Sequence, residues 1–114
     1  MRIRSANKDV LQIPPVKTAD TTFGASPNPI VVTDGTGLGV TTLSWSTTKS
    51  KLIEIHVDGP AGAQMTGEAG DSGTADTGKW VGDGAQFYMQ DASLPNKTEA
   101  SATLAVLTVK VIQR

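Results

Sequence analysis

From Pro29 onward, apolar and polar positions alternate in short runs, each closed by a cluster of Gly, Asp, Asn or Pro. A period of two marks a half-buried strand, because successive side chains point to opposite faces of a sheet. Ile30-Val31-Val32-Thr33 is the first such run and ends at Asp34-Gly35-Thr36-Gly37. In Val40 to Ser46 the period puts Leu43 and Trp45 on one face and Thr42, Ser44 and Ser46 on the other. Lys51 to Asp58 alternates more cleanly still, with Ile53, Ile55 and Val57 inward and Glu54, His56 and Asp58 outward, before Asp58-Gly59-Pro60 turns the chain. Ala61 to Gly78 is rich in Gly, Ser, Thr and Asp around Met65, which predicts weak edge strands joined by loops. Trp80-Val81 precedes the Gly82-Asp83-Gly84 turn, and Ala85 to Gln90 then turns Phe87 and Met89 inward and Tyr88 outward. After Leu94-Pro95-Asn96-Lys97, Ala100 to Gln113 is the longest predicted strand, with Leu107, Val109 and Val111 inward. Leu104 and Val106 break its phase and predict a bulge near Val106. No stretch of about 10 residues combines helical spacing with freedom from Gly and Pro, so no helix is expected.

Turn clusters at this spacing predict an all-β fold: a single immunoglobulin-like sandwich of about seven antiparallel strands over residues 26–114, behind an extended N-terminal arm over residues 1–25. In the arm, Pro14-Pro15 disfavours helix, while Val10, Leu11, Ile13 and Val16 form a short apolar ribbon. Such a ribbon has two uses. It can lie along the exposed edge of a neighbouring sandwich, or fold back on its own domain as an extra edge strand.

The run Val40 to Ser46, followed by Leu52-Ile53-Glu54-Ile55-His56-Val57 and Phe87-Tyr88-Met89, resembles the second, third and sixth strands of fibronectin type III and related immunoglobulin-like modules. That resemblance implies a core role for Trp45. Ser26-Pro27-Asn28-Pro29-Ile30, Asp34-Gly35-Thr36-Gly37-Leu38-Gly39 and Thr77-Gly78-Lys79-Trp80-Val81 are similar to small bacterial and phage-borne modules of this kind. Modules of that type are often appended to glycosyltransferases, methyltransferases or surface proteins. The likeness spans residues 26–114, and the arm has no place in the family pattern. It bears on fold far more than on function, since one sandwich serves many roles.

Composition narrows the classes. The chain has 114 residues and no cysteine, which excludes a disulfide framework, a thiolate zinc site and a cysteine nucleophile. Ten basic and eleven acidic side chains leave a net charge of −1, so no global field draws nucleic acid or an anionic membrane. The charges are segregated, however. Arg2, Arg4, Lys8 and Lys17 outnumber Asp9 and Asp20 at the start, while Glu54, Asp58, Glu68, Asp71, Asp76, Asp83 and Asp91 face only Lys79 in the middle. One end could attract the other on a neighbouring copy. The N-terminal residues lack the continuous apolar stretch of a secretion signal, and no segment approaches the roughly 20 apolar residues of a membrane span.

Candidate chemistry is sparse. Asp34-Gly35-Thr36-Gly37-Leu38-Gly39 has glycines that would let amides approach a phosphate, but Val40 and a Thr-rich strand follow where a dinucleotide site needs glycine and a helix. It is expected as a turn. His56, the only histidine, shares a strand face with Glu54 and Asp58, from which a carboxylate-oriented base could be built. Residues two apart on a strand stand about 7 Å apart, too far for that dyad's hydrogen bond, so His56 is expected to face solvent, with metal binding as its other use. Glu54 and Asp58 are too widely spaced for a glycosidase pair. Glu68 to Asp76 could offer oxygens to calcium, yet it lacks the spacing and terminal glutamate of an EF-hand. Asn96-Lys97-Thr98 is an acceptor sequon on a predicted turn. Tyr88 and Trp80 are the aromatic side chains left for surface contact, because Trp45 and Phe87 face the core.

No catalytic, cofactor-binding or metal-binding set is assembled, so the chain is expected not to be an enzyme and to use no cofactor. The expected function is a structural or interaction module in an assembly, such as a virion or cell-surface component. Other copies or a scaffold would be engaged through Val10, Leu11, Ile13 and Val16. The alternative is a glycan-binding or accessory module using Tyr88 and Trp80.

Overall fold

The computed structural model describes residues 11–114. Its strands in chain order are β1 (Val16–Lys17), β2 (Thr21–Ser26), β3 (Ile30–Val32), β4 (Thr42–Thr47), β5 (Ile53–Val57), β6 (Ala63–Ala69), β7 (Ser72–Asp76), β8 (Ala85–Asp91), β9 (Thr103–Val109) and β10 (Val111–Gln113). A 3-10 turn at Ala100–Ala102 precedes β9. The strands form two four-stranded antiparallel sheets, ordered β1-β2-β4-β7 and β6-β5-β8-β9, and β3 pairs in parallel with β10. The all-β sandwich expected from the alternation is the fold observed.

The two inner faces follow from the period of two. Phe23 on β2 and Leu43 and Trp45 on β4 meet Ile53, Ile55, Phe87, Met89, Leu107 and Val109 from the other sheet, all buried. Trp45 donates its indole N–H to Gly70 O at 3.1 Å, so the ring fills the core while its polar atom is satisfied by the β6–β7 turn. Val81, fully buried, joins the core through a bridge to Gly39.

Among the described residues the strands number ten, because both flanks of the expected sandwich do more than their patterns indicate. Residues 21–26 are not arm: β2 pairs with β4 along its whole length, Phe23 opposite Trp45. The boundary expected at residue 26 therefore falls at the end of a core strand. Thr21-Thr22-Phe23-Gly24-Ala25-Ser26 has one large apolar residue, too little for alternation to show, and pairing with β4 supplies the rest. Val16 pairs with Phe23 in β1, and Ile13 N–H donates to Asn28 O at 2.6 Å, so this part of the ribbon folds back on its own domain. Leu11 does not; it is 92% exposed. Val10 lies outside the described residues.

At the other end, the long strand is broken at Lys110, whose amide donates to the Asn28 side chain. The irregularity in β9 falls at Leu104, between the partners of Met89 and Gln90, two residues before the expected position. Val106 faces outward and Ala105, Leu107 and Val109 inward, so the phase is regular through Val106.

Candidate functional site

Two places gather polar or aromatic side chains: the outer face of β5 and β8, and the rim where β6 and β7 close the sandwich. On the first, the sequence expectation fails in an instructive way. Glu54 and His56 point away from the core as the alternation requires, yet they are only 3% and 4% exposed. His56 Nε2 lies 3.0 Å from Glu54 Oε1, and His56 Nδ1 lies 2.8 Å from Gly62 O. The roughly 7 Å spacing holds for the backbone. A long glutamate side chain and an imidazole ring close the gap between them.

Local structure covers the pair. The turn after β5 brings Gly62 so close that a Cβ there would sit 1.9 Å from Val57 O, so only glycine fits beside the imidazole. From the other side, the β8–β9 connection lays Lys97 over the carboxylate, with Nζ donating to Glu54 Oε2 at 2.7 Å. Gln90 holds that connection down, its amide donating to Lys97 O and Glu99 O, both at 2.9 Å. The Lys97 hydrogen bond keeps the Glu54 carboxyl below its ordinary value against the opposing effect of burial, and Glu54 in turn raises Lys97. Both imidazole nitrogens face acceptors. Among the described residues, no buried side-chain nitrogen or oxygen in the structure lacks a partner. The dyad is thus held shut, with neither side chain lining the clefts described next.

The rim is different. Between the start of β6 and the end of β7 opens a cleft of about 420 Å³, lined by Val57, Ala63, Met65, Asp76, Thr77 and Trp80 among others. A second cleft of about 270 Å³ runs along Trp80 toward Asp58 and the Gly82-Asp83-Gly84 turn. Trp80 stands between them, 42% exposed, its ring 5.9 Å from Phe87 and tilted by 47°. Gly78 allows this pose, since a Cβ there would come within 2.8 Å of Trp80 Cδ1. The bridge between Gly39 and Val81 turns Val81 into the core, and the residues flanking it, Val40 and Trp80, are left 48% and 42% exposed. Leu38 is also exposed and lies against Gly82.

The sequence candidates are scattered. Trp80 lies on the inner side of β8 beside Phe87, whereas Tyr88 lies on the outer face, paired across strands with His56 and Val106, its hydroxyl donating to Gln86. The structure does not bring Tyr88 and Trp80 together. Asp34 to Gly39 is a turn in which Asp34 accepts from the Thr36 amide and the Gly37 amide donates to Gln113. Glu68 to Asp76 is mostly strand, the end of β6 and the whole of β7, joined by a short turn that carries the chain from one sheet to the other. Among the described residues no three His, Asp or Glu side chains could share a metal ion. Asn96 donates to Ser101 within its turn. The features that sequence reasoning missed are the Glu54–Lys97 pair and the apolar trio of Leu38, Val40 and Trp80. Both are long-range pairings, and only the glycines at 62 and 78 marked them. No family model, curated protein or solved structure matches the chain.

Proposed function

We propose that this chain is a non-catalytic, immunoglobulin-like interaction module that works in an assembly such as a virion or cell-surface structure, with the segment ahead of Gln12 as its tether. The observation that carries this is the contrast at the start of the chain. The Gln12 side chain accepts from the Asn28 amide, Ile13 donates to Asn28 O, and Val16 pairs with Phe23, so the base of the arm is anchored. Leu11, the next residue outward, is left 92% exposed. An anchored base presenting an apolar residue to solvent suits a contact made elsewhere.

The immunoglobulin-like reading is supported by the order of strands. The sheet with β2, β4 and β7 faces the one with β5, β8 and β9, and the chain returns so that β10 lies beside β3. The glycan-binding alternative calls on Trp80 and Tyr88 together. With the rings on opposite sides of β8, a single indole remains as platform, which favours the assembly reading.

Light scattering of the full chain across a concentration series tests it. The mass should rise with concentration, and Leu11→Asp should hold it nearer the monomer. A monomer at every concentration would sink the proposal. A chain begun at Gly24 would not serve as control, because it lacks Phe23 and part of β2.

A further inference from the structure

We infer that the cleft beside Trp80 is the receptor for residues 1–10 of a neighbouring copy, so that the molecules join head to tail; this rests on the tether reading above. Three observations converge on that occupant.

The first is position. The arm's base is fixed on the side of the sandwich where β1 and β2 approach β9. The Trp80 cleft lies on the opposite side, where β6 and β7 are the outermost strands of their sheets. A donor on one edge and a receptor on the other make a heterologous contact, which propagates from copy to copy.

The second is surface chemistry. Leu38, Val40 and Trp80, which flank the Gly39–Val81 bridge, are 39%, 48% and 42% exposed, and Trp80 lines a cleft together with Val57 and Met65. Beside it, β6 carries a row of backbone groups that its own sheet leaves unpaired, the feature an added extended segment uses. Pro14-Pro15, just past the segment, disfavours helix at that end.

The third is charge. Residues 1–10 hold Arg2, Arg4 and Lys8 against Asp9, with Ile3 between the arginines. At the cleft, Asp76 accepts from Thr42 and Asp58 from the Gln86 amide, but neither makes an ion pair among the described residues. By contrast, Asp34 and Asp83 are paired with Lys79 and Lys110. An extended Arg2-Ile3-Arg4 turns its arginines to one side and Ile3 to the other, which sets Ile3 on the indole and the cations at the acidic rim. Ten extended residues reach at most about 36 Å, enough to cross the molecule to its own cleft, so concentration dependence separates the neighbour from self-docking.

The experiment is sedimentation of the full chain over a concentration series at low and high salt, with three variants. Association should weaken as salt screens the rim. Trp80→Ala should weaken it at least tenfold. The arm variant Arg2→Glu with Arg4→Glu, and the cleft variant Asp58→Asn with Asp76→Lys, should each stay monomeric alone. Asparagine tolerates the positive φ of 65° at position 58, so the cleft variant keeps its turn. Mixing the two variants should restore association, because each acidic arm then meets a basic cleft and each native arm a native cleft. If the arm variant associates like the native chain, this inference falls, and if Leu11→Asp associates like the native chain as well, the tether reading falls with it. If the arm variant is monomeric while Trp80→Ala and the cleft variant associate normally, the tether stands and this receptor is wrong. Native chain that is monomeric throughout, whether its arm docks on itself or Trp80 takes a sugar instead, also overturns the head-to-tail contact.

Discussion

The outer face of β5 and β8 and the rim between β6 and β7 hold similar side chains, carboxylates beside a ring, and differ in whether those groups are already matched. Glu54 is met by Lys97 and His56, and His56 by Gly62, under a connection pinned by Gln90. At the rim, Trp80 is open on two clefts, and among the described residues Asp76 and Asp58 meet only neutral donors. A buried polar group must be satisfied inside the fold, so its partners describe stability. An exposed apolar group flanked by charges without counterions describes what else can bind. The histidine and carboxylate that look most like chemistry in the sequence therefore belong to the architecture, and the less conspicuous Trp80 belongs to the surface.

The two tryptophans give the largest test of that division. Trp45→Ala removes a ring that is 6% exposed and leaves a cavity between the sheets, so it should cost about 3–5 kcal/mol. A urea titration showing a small loss would mean that the core does not centre on β4. The closed polar cluster comes next. Glu54→Ala leaves Lys97 and His56 without their shared acceptor, at a cost of about 2–3 kcal/mol, below that of a fully buried pair because Lys97 reaches solvent. A midpoint unchanged from the native chain would show the cluster to be ornamental.

How much of this the sequence could tell depends on range. Leu43, Trp45, Phe87 and Met89 lie in strands whose alternation is local, and their inward faces were legible from period alone. β2 was hidden because Phe23 is its single large apolar residue and its identity as a strand comes from pairing with β4. The polarity of Glu54 and His56 pointed to solvent, and the direction was right: they do leave the core. What periodicity does not contain is a cover laid down by residues 62 and 97, brought there by turns. The same blindness applies to the rim, where residues 40 and 80 become neighbours through one bridge.

Acid should probe the closed face more gently than substitution. Glu54, held low first by the Lys97 hydrogen bond, has a folded pKa below its ordinary 4.5. Its contribution is complete above that ordinary value and is lost as pH falls through the lower folded one. Stability should thus decline with acid from about pH 4.5 downward. Asp34 and Asp83, held low by Lys79 and by the Val111 amide, add to the same limb. Glu54's share is therefore the difference from Glu54→Gln, whose acid limb should be shallower. Parallel limbs in the two proteins would remove Glu54 from the account.

The smallest effect on folding is expected where the effect on association is large. Asp76 sits exposed at the end of edge strand β7, with one side-chain hydrogen bond, from Thr42. Asp76→Asn keeps an acceptor for that hydroxyl and removes only the charge, so unfolding should move by no more than about 0.5 kcal/mol. Removing one of two rim charges should nevertheless weaken a contact made with arginines and reduce its salt dependence. Urea and sedimentation series on the same preparation read the two quantities separately. A variant that loses stability without losing association would place Asp76 with Glu54, among the groups the fold needs, and would erase the distinction between the closed face and the open rim.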